Sequence, residues 1–107
     1  MLGLETAAAV ALTTLVETGA CPLGHVLGAL SWHPAAIAGL ARHGGPIEPG
    51  RPANLCVIDL GATWQVDPGR LASRSRNTPW AGYKLTGRVR HTIRDGEAVV
   101  VDSQAQR

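Results

Sequence analysis

The chain has 107 residues, 45% of them hydrophobic and 17% charged, with a net charge of +2. This composition excludes a disordered chain, and the length suits one small domain. The charge excess is too small, and too poorly interleaved with aromatics, for a nucleic-acid binder. The apolar stretch from Ala7 to Val16 is too short to span a membrane. It also lacks the basic start of a signal peptide, and Glu5 and Glu17 flank it. Cys21 and Cys56 are isolated, which predicts reduced, buried thiols and a cytoplasmic protein. Phenylalanine is absent, and Trp32, Trp64, Trp80 and Tyr83 are the only aromatics. The core is therefore expected to rest on Leu, Val, Ile and Ala.

Leu4 to Thr18 predicts a helix, Ala-rich and stopped by Gly19. It is apolar nearly all round, so it expects cover on more than one side. Pro22 to Leu30 predicts a second helix, with Pro22 in its first turn and Leu23, Val26, Leu27 and Leu30 on one face. Pro34 to Leu40 predicts a third, short helix, and His43 to Pro46 punctuate the chain. Beyond Gly45 the pattern becomes strand-like. Ala53 to Leu60 and Trp64 to Val66 predict two strands, and Asp67 caps a helical turn ending near Ala72. Arg88 to Arg94 and Glu97 to Val101 predict strands joined by a hairpin turn at Asp95-Gly96. Arg88, Arg90 and Arg94 are expected on a solvated strand face. Residues 102–107 are expected to fray.

Few residues offer chemistry. There is no His-x-His, His-Glu-x-x-His or Cys-x-x-Cys, so a zinc site has no local support. His25, His33, His43 and His91 are scattered and read as surface or structural histidines. Gly44, Gly45 and Gly50 lack the setting of a phosphate loop, and Ser31, Ser73 and Ser75 lack a nucleophile elbow. Asp59, Asp67, Asp95 and Asp102 fit turn or strand-end roles. Glu5 is the acidic residue that stands out, because it lies at a helix start, where a negative charge is favourable.

Four segments together carry a family resemblance. Residues 1–6, MLGLET, resemble the Gly-Leu-Glu-Thr stretch of dihydroorotases. Residues 31–40, SWHPAAIAGL, resemble their Asn-Pro-Ala-x-x-x-Gly-Leu stretch, with His33 in place of Asn. Residues 45–59, GPIEPGRPANLCVID, resemble a run shared by metal-dependent amidohydrolases, with Asn54 in place of Asp. Residues 73–89, SRSRNTPWAGYKLTGRV, resemble the dihydroorotase ending through Asn77-Thr78-Pro79, Gly82 and Gly87, and Thr92 to Gly96 continue it. The first and last segments favour dihydroorotases over allantoinases and dihydropyrimidinases.

The resemblance implies an α/β fold made of the C-terminal helices of a (β/α)₈ amidohydrolase barrel and strands of a small composite β domain. Residues 1–44 would be barrel helices, and residues 45–107 the C-terminal strands of the β domain. Family enzymes are zinc hydrolases that interconvert N-carbamoyl-L-aspartate and dihydroorotate in pyrimidine biosynthesis, through a metal-bound hydroxide and a proton-shuttling Asp. Their metal ligands and that Asp precede Gly-Leu-Glu-Thr. The chain is thus expected to be a C-terminal fragment, inactive alone, with no catalytic, cofactor-binding or metal-ligating position of its own. Its expected partners are the missing N-terminal barrel portion and either aspartate transcarbamoylase or further copies of itself. The alternatives are a non-catalytic dihydroorotase-like partner of aspartate transcarbamoylase, or another cyclic amidohydrolase.

Overall fold

The first helix does not run evenly. In a computed structural model that describes residues 1–106, α1 (Ala7–Ala11) widens into a π-helical turn over Leu12–Val16. Glu17 N–H closes that turn on Leu12 O at 2.9 Å. Threonine accounts for part of the distortion. Thr14 Oγ1 donates to Val10 O and Thr18 Oγ1 to Thr14 O, so side chains take carbonyls that backbone amides would otherwise use. Gly19, at φ 79°, ends the helix as expected.

Helix α2 (Leu23–Leu30) starts one residue after the predicted point, because Pro22 is extended and serves as the cap. Helix α3 covers Trp32–Ile37 instead of Pro34 to Leu40. Gly39 stops it at φ 69°, where Leu40 N–H bonds Ala35 O and Gly39 N–H bonds Ala36 O. That is a Schellman ending, and it places the Gly beyond the helix.

Four strands follow in chain order in one antiparallel sheet: β1 (Leu55–Gln65), β2 (Lys84–Arg94), β3 (Glu97–Val101) and β4 (Gln104–Ala105). The two strands predicted within residues 53–66 are one. Asp59 pairs with Arg88 and Thr63 with Thr86, so β1 advances four residues while β2 advances two. Asp59 Oδ1 accepts from the Gly61 and Ala62 amides at 3.0 and 3.1 Å, which stabilises the bulge between the two predicted strands.

The β2–β3 hairpin turns at Asp95-Gly96 as predicted, both residues at positive φ. Residues 102–106 do not fray, and Arg107 lies outside the described residues. Asp102 and Ser103 form a second two-residue turn at φ 47° and 64°, and β4 pairs Val100 with Ala105. Ser103 Oγ donates to Val89 O at 2.7 Å, a nonlocal bond that holds this turn in place.

The core lies where α1 meets one end of the sheet. Ala9, Val66 and Leu85 are its buried centre, with Val10, Trp64 and Trp80 packed around them. Aromatics therefore flank a core expected to be aliphatic. Trp64 spans the seam: its Nε1 donates to Gly87 O at 2.9 Å, and Arg88 lies over its ring at 5.3 Å. Arg90 and Arg94 face solvent as expected, but Arg88 is half-buried by that stacking.

Gly87 makes the close approach possible. At φ 94° it faces Leu12, whose Cδ1 would stand 2.6 Å from an added Cβ. Beside it, Thr13 Oγ1 accepts from Thr86 N–H at 2.9 Å and lies 3.2 Å from Thr86 O.

Much apolar surface stays uncovered. Leu4, Ile37 and Ile47 are 98%, 88% and 86% exposed, and Trp32, Leu40 and Leu30 are largely open. A monomer of this size seldom leaves so many large apolar side chains in water.

Candidate functional site

The segments that begin and end the family resemblance lie far apart in sequence and meet in space. Leu2 N–H donates to Asn77 O at 2.8 Å. The Glu5 carboxylate accepts from Ala72 N–H at 3.0 Å through Oε1 and 3.1 Å through Oε2, and from Ser73 N–H at 3.3 Å. Glu5 therefore does not serve the helix N-terminus, where Thr6 is the cap residue and the first turn carries no acid. Thr6 itself is buried beneath this junction.

Loop 71–78, between the short 3₁₀ turn Pro68–Arg70 and β2, is built mostly from its own polar groups. Asp67 caps the turn through Gly69 N–H at 2.8 Å, as its sequence position implied. Ser73 Oγ accepts from Ser75 N–H, and Ser75 Oγ from Asn77 N–H. Thr78, buried, accepts from Trp80 N–H. The Arg76 guanidinium donates to the carbonyls of Leu71, Ser73 and Ser75. Sequence reasoning gave Arg76 no part. Its local signal, an Arg among serines, does not distinguish a loop organiser from a surface charge.

A second polar junction joins the two halves of the chain. Asn54 Oδ1 accepts from Asp95 N–H at 2.8 Å, while its Nδ2 donates to Arg42 O at 3.0 Å. Gly96 N–H bonds Ala53 O alongside, and Arg42 reaches Asp95 at 3.4 Å.

The histidines stay apart. The His33 ring packs on Gly28, and His43 lines a shallow groove of about 570 Å³ with Trp32 and Arg51. His91 Nδ1 accepts from Asp102 N–H at 3.4 Å. Among the described residues, no three His, Cys, Asp or Glu side chains come together in a way that could hold a metal ion. The described residues do not fit a zinc centre. Asp59, Asp67, Asp95 and Asp102 all sit in turns or at a bulge. Neither cysteine is buried as expected: Cys21 is half-buried and Cys56 exposed. Local desolvation still pushes the Cys56 thiol above its ordinary value, against a smaller lowering from the Thr92 hydrogen bond.

Residues 1–99 match the Amidohydrolase family. The chain belongs to the amidohydrolase family. Among curated amidohydrolases it is 46% identical to the dihydroorotase of Streptomyces coelicolor over 97% of its length. It is 41% identical to that of Mycobacterium tuberculosis over the same share, and 43% identical to that of Anaeromyxobacter dehalogenans over all of it. The chain spans 24% of the length of each of these relatives.

Among solved amidohydrolases, the L-hydantoinase of Arthrobacter aurescens superposes with a TM-score of 0.88 at 27% identity. That match takes in 99% of this chain and 24% of the other. A D-hydantoinase from Thermus shares the fold, with a TM-score of 0.86 at 22% identity, over 95% of this chain and 22% of its own. The mixed helical and antiparallel arrangement is thus that of a stretch of these enzymes. No helix of the described residues is long and apolar enough to cross a membrane.

Proposed function

We propose that this chain supplies the C-terminal portion of a dihydroorotase-type amidohydrolase, acting on the cyclic amide bond of dihydroorotate. In this reading residues 1–44 are the last barrel helices and residues 45–107 belong to the small β domain. The observation that carries it is the 41–46% identity to dihydroorotases along nearly the whole chain, against 27% to the L-hydantoinase. Shared fold alone would not choose a substrate, since one fold hosts many.

The zinc and the proton-transferring acid of such an enzyme would come from sequence outside these 107 residues. The uncovered apolar side chains Leu30 of α2 and Trp32 and Ile37 of α3 would then be where the rest of the barrel packs. A cytoplasmic role in pyrimidine biosynthesis follows from this reading.

The test is a graft. The matching quarter of the Streptomyces coelicolor dihydroorotase is replaced by this chain, and hydrolysis of dihydroorotate and of a hydantoin is measured in parallel. Retained dihydroorotate turnover supports the proposal. Turnover of the hydantoin alone, or none of either substrate from a folded graft, rejects it. The chain by itself is expected to show neither activity and to keep no zinc after mild chelation. Stoichiometric, tightly held zinc in the purified chain would contradict the assignment of the metal to other sequence.

A further inference from the structure

We propose that Glu5 and Arg76 form a latch across the Leu71–Ala72 peptide, and that Glu5 is the positioning residue for loop 71–78. The N–H and C=O of one trans peptide point to opposite sides. Here the Ala72 N–H points at the Glu5 carboxylate, and the Leu71 C=O of the same peptide points at the Arg76 guanidinium, 3.2 Å away. A peptide dipole is therefore held between a negative and a positive charge. The same two side chains also take groups of the next two peptides: Ser73 N–H faces Glu5 and Ser73 O faces Arg76. Hydrogen bonds to charged groups are roughly twice as strong as neutral ones, and those sharing a polarised group strengthen each other.

The two ends of the latch have different reach. Arg76 acts within its own loop, whereas Glu5 acts across 67 positions of sequence. Glu5 ties the loop to the segment before α1, and Leu2 N–H on Asn77 O is a second tie. No regular secondary structure fixes residues 71–78, so their position depends on these contacts. Any role of this loop in a catalytic site would rest on the dihydroorotase-type reading. The latch itself does not, and its test uses no activity.

Hydrogen–deuterium exchange of the full chain is followed in proteolytic peptides covering residues 67–79 and, as a control, residues 84–90 around the remote Thr13–Thr86 contact. Glu5→Ala is expected to speed exchange in the first peptide about tenfold or more while leaving the second unchanged, the size set by loss of a charge-assisted bond. Glu5→Gln, which keeps an acceptor without the charge, should fall between. Combining Glu5→Gln with Arg76→Gln should accelerate exchange by less than the product of the single effects, because both charges act on the same peptide. Equal acceleration in both peptides would mean that Glu5 only stabilises the whole chain. That result would overturn the proposal, as would no acceleration in Glu5→Ala, independent effects in the double variant, or a wild-type loop without protection.

Discussion

Asn54 shows how much one side-chain atom decides. It needs an acceptor for Asp95 N–H and a donor for Arg42 O at once, and an amide offers both. The Asp that stands here in the family resemblance would keep the acceptor and lose the donor. Asn54→Asp is therefore expected to cost about 0.5–1.5 kcal/mol, the net worth of one hydrogen bond. Exchange of the Asp95 and Gly96 amides checks this, and unchanged rates would show that the donor contributes nothing. Cys56 gives a pH prediction. Its thiol pKa is raised by desolvation, so less thiolate is present at neutral pH than in a free thiol. Alkylation by iodoacetamide should be slower than in the unfolded chain and catch up as pH rises through the folded value. The sign for stability is the same: a raised thiol pKa costs nothing below the unfolded value. Stability is lost as pH climbs past it towards the folded one.

Elements were legible wherever their cause was local. Gly19, the apolar face of α2, the Asp67 cap and the Asp95-Gly96 turn each carry their reason within a few residues. The errors fall where a partner distant in sequence decides. Residues 53–60 and 64–66 read as two strands, but Asp59 and the pairing with β2 carry β1 through the gap. Asp102-Ser103 contains no glycine, and its turn is held by Val89 and by Arg90, whose guanidinium lies 3.7 Å from Asp102. The Glu5 junction was invisible for the same reason. The contact of α1 with β2 depends on Thr13, whose hydroxyl engages both polar groups of Thr86. Thr13→Val keeps the shape and removes both bonds, leaving a half-buried amide without a partner. The expected loss is about 1–3 kcal/mol, read as a lower urea midpoint, and Thr13→Ser should restore most of it. A Val variant as stable as wild type would show that packing of Leu12 against Gly87 suffices.

For the whole molecule, the uncovered apolar side chains set the behaviour in solution. Leaving a large apolar side chain in water forgoes roughly 1.5–3 kcal/mol, and Leu4, Ile37 and Ile47 are nearly bare. The β1 strand adds an unpaired edge of eleven residues, Leu55–Gln65, softened only by its bulge. The isolated chain is expected to self-associate and to bind a hydrophobic dye. A monodisperse monomer by size-exclusion chromatography, with a sharp thermal transition and no dye binding, would contradict this.

The Thr13–Thr86 contact, bridging 73 positions, also sets a schedule during synthesis. At about 5–20 residues per second, the strand that covers α1 leaves the ribosome roughly 4–15 s after the helix does. Through that interval Ala9 and Leu12 have no sheet to lie on. Nascent chains stalled before Lys84 should therefore be captured by a holdase chaperone through their first helix. Chains stalled well beyond Arg94 should release it, so the hand-over from chaperone to sheet is timed by the position of a single strand.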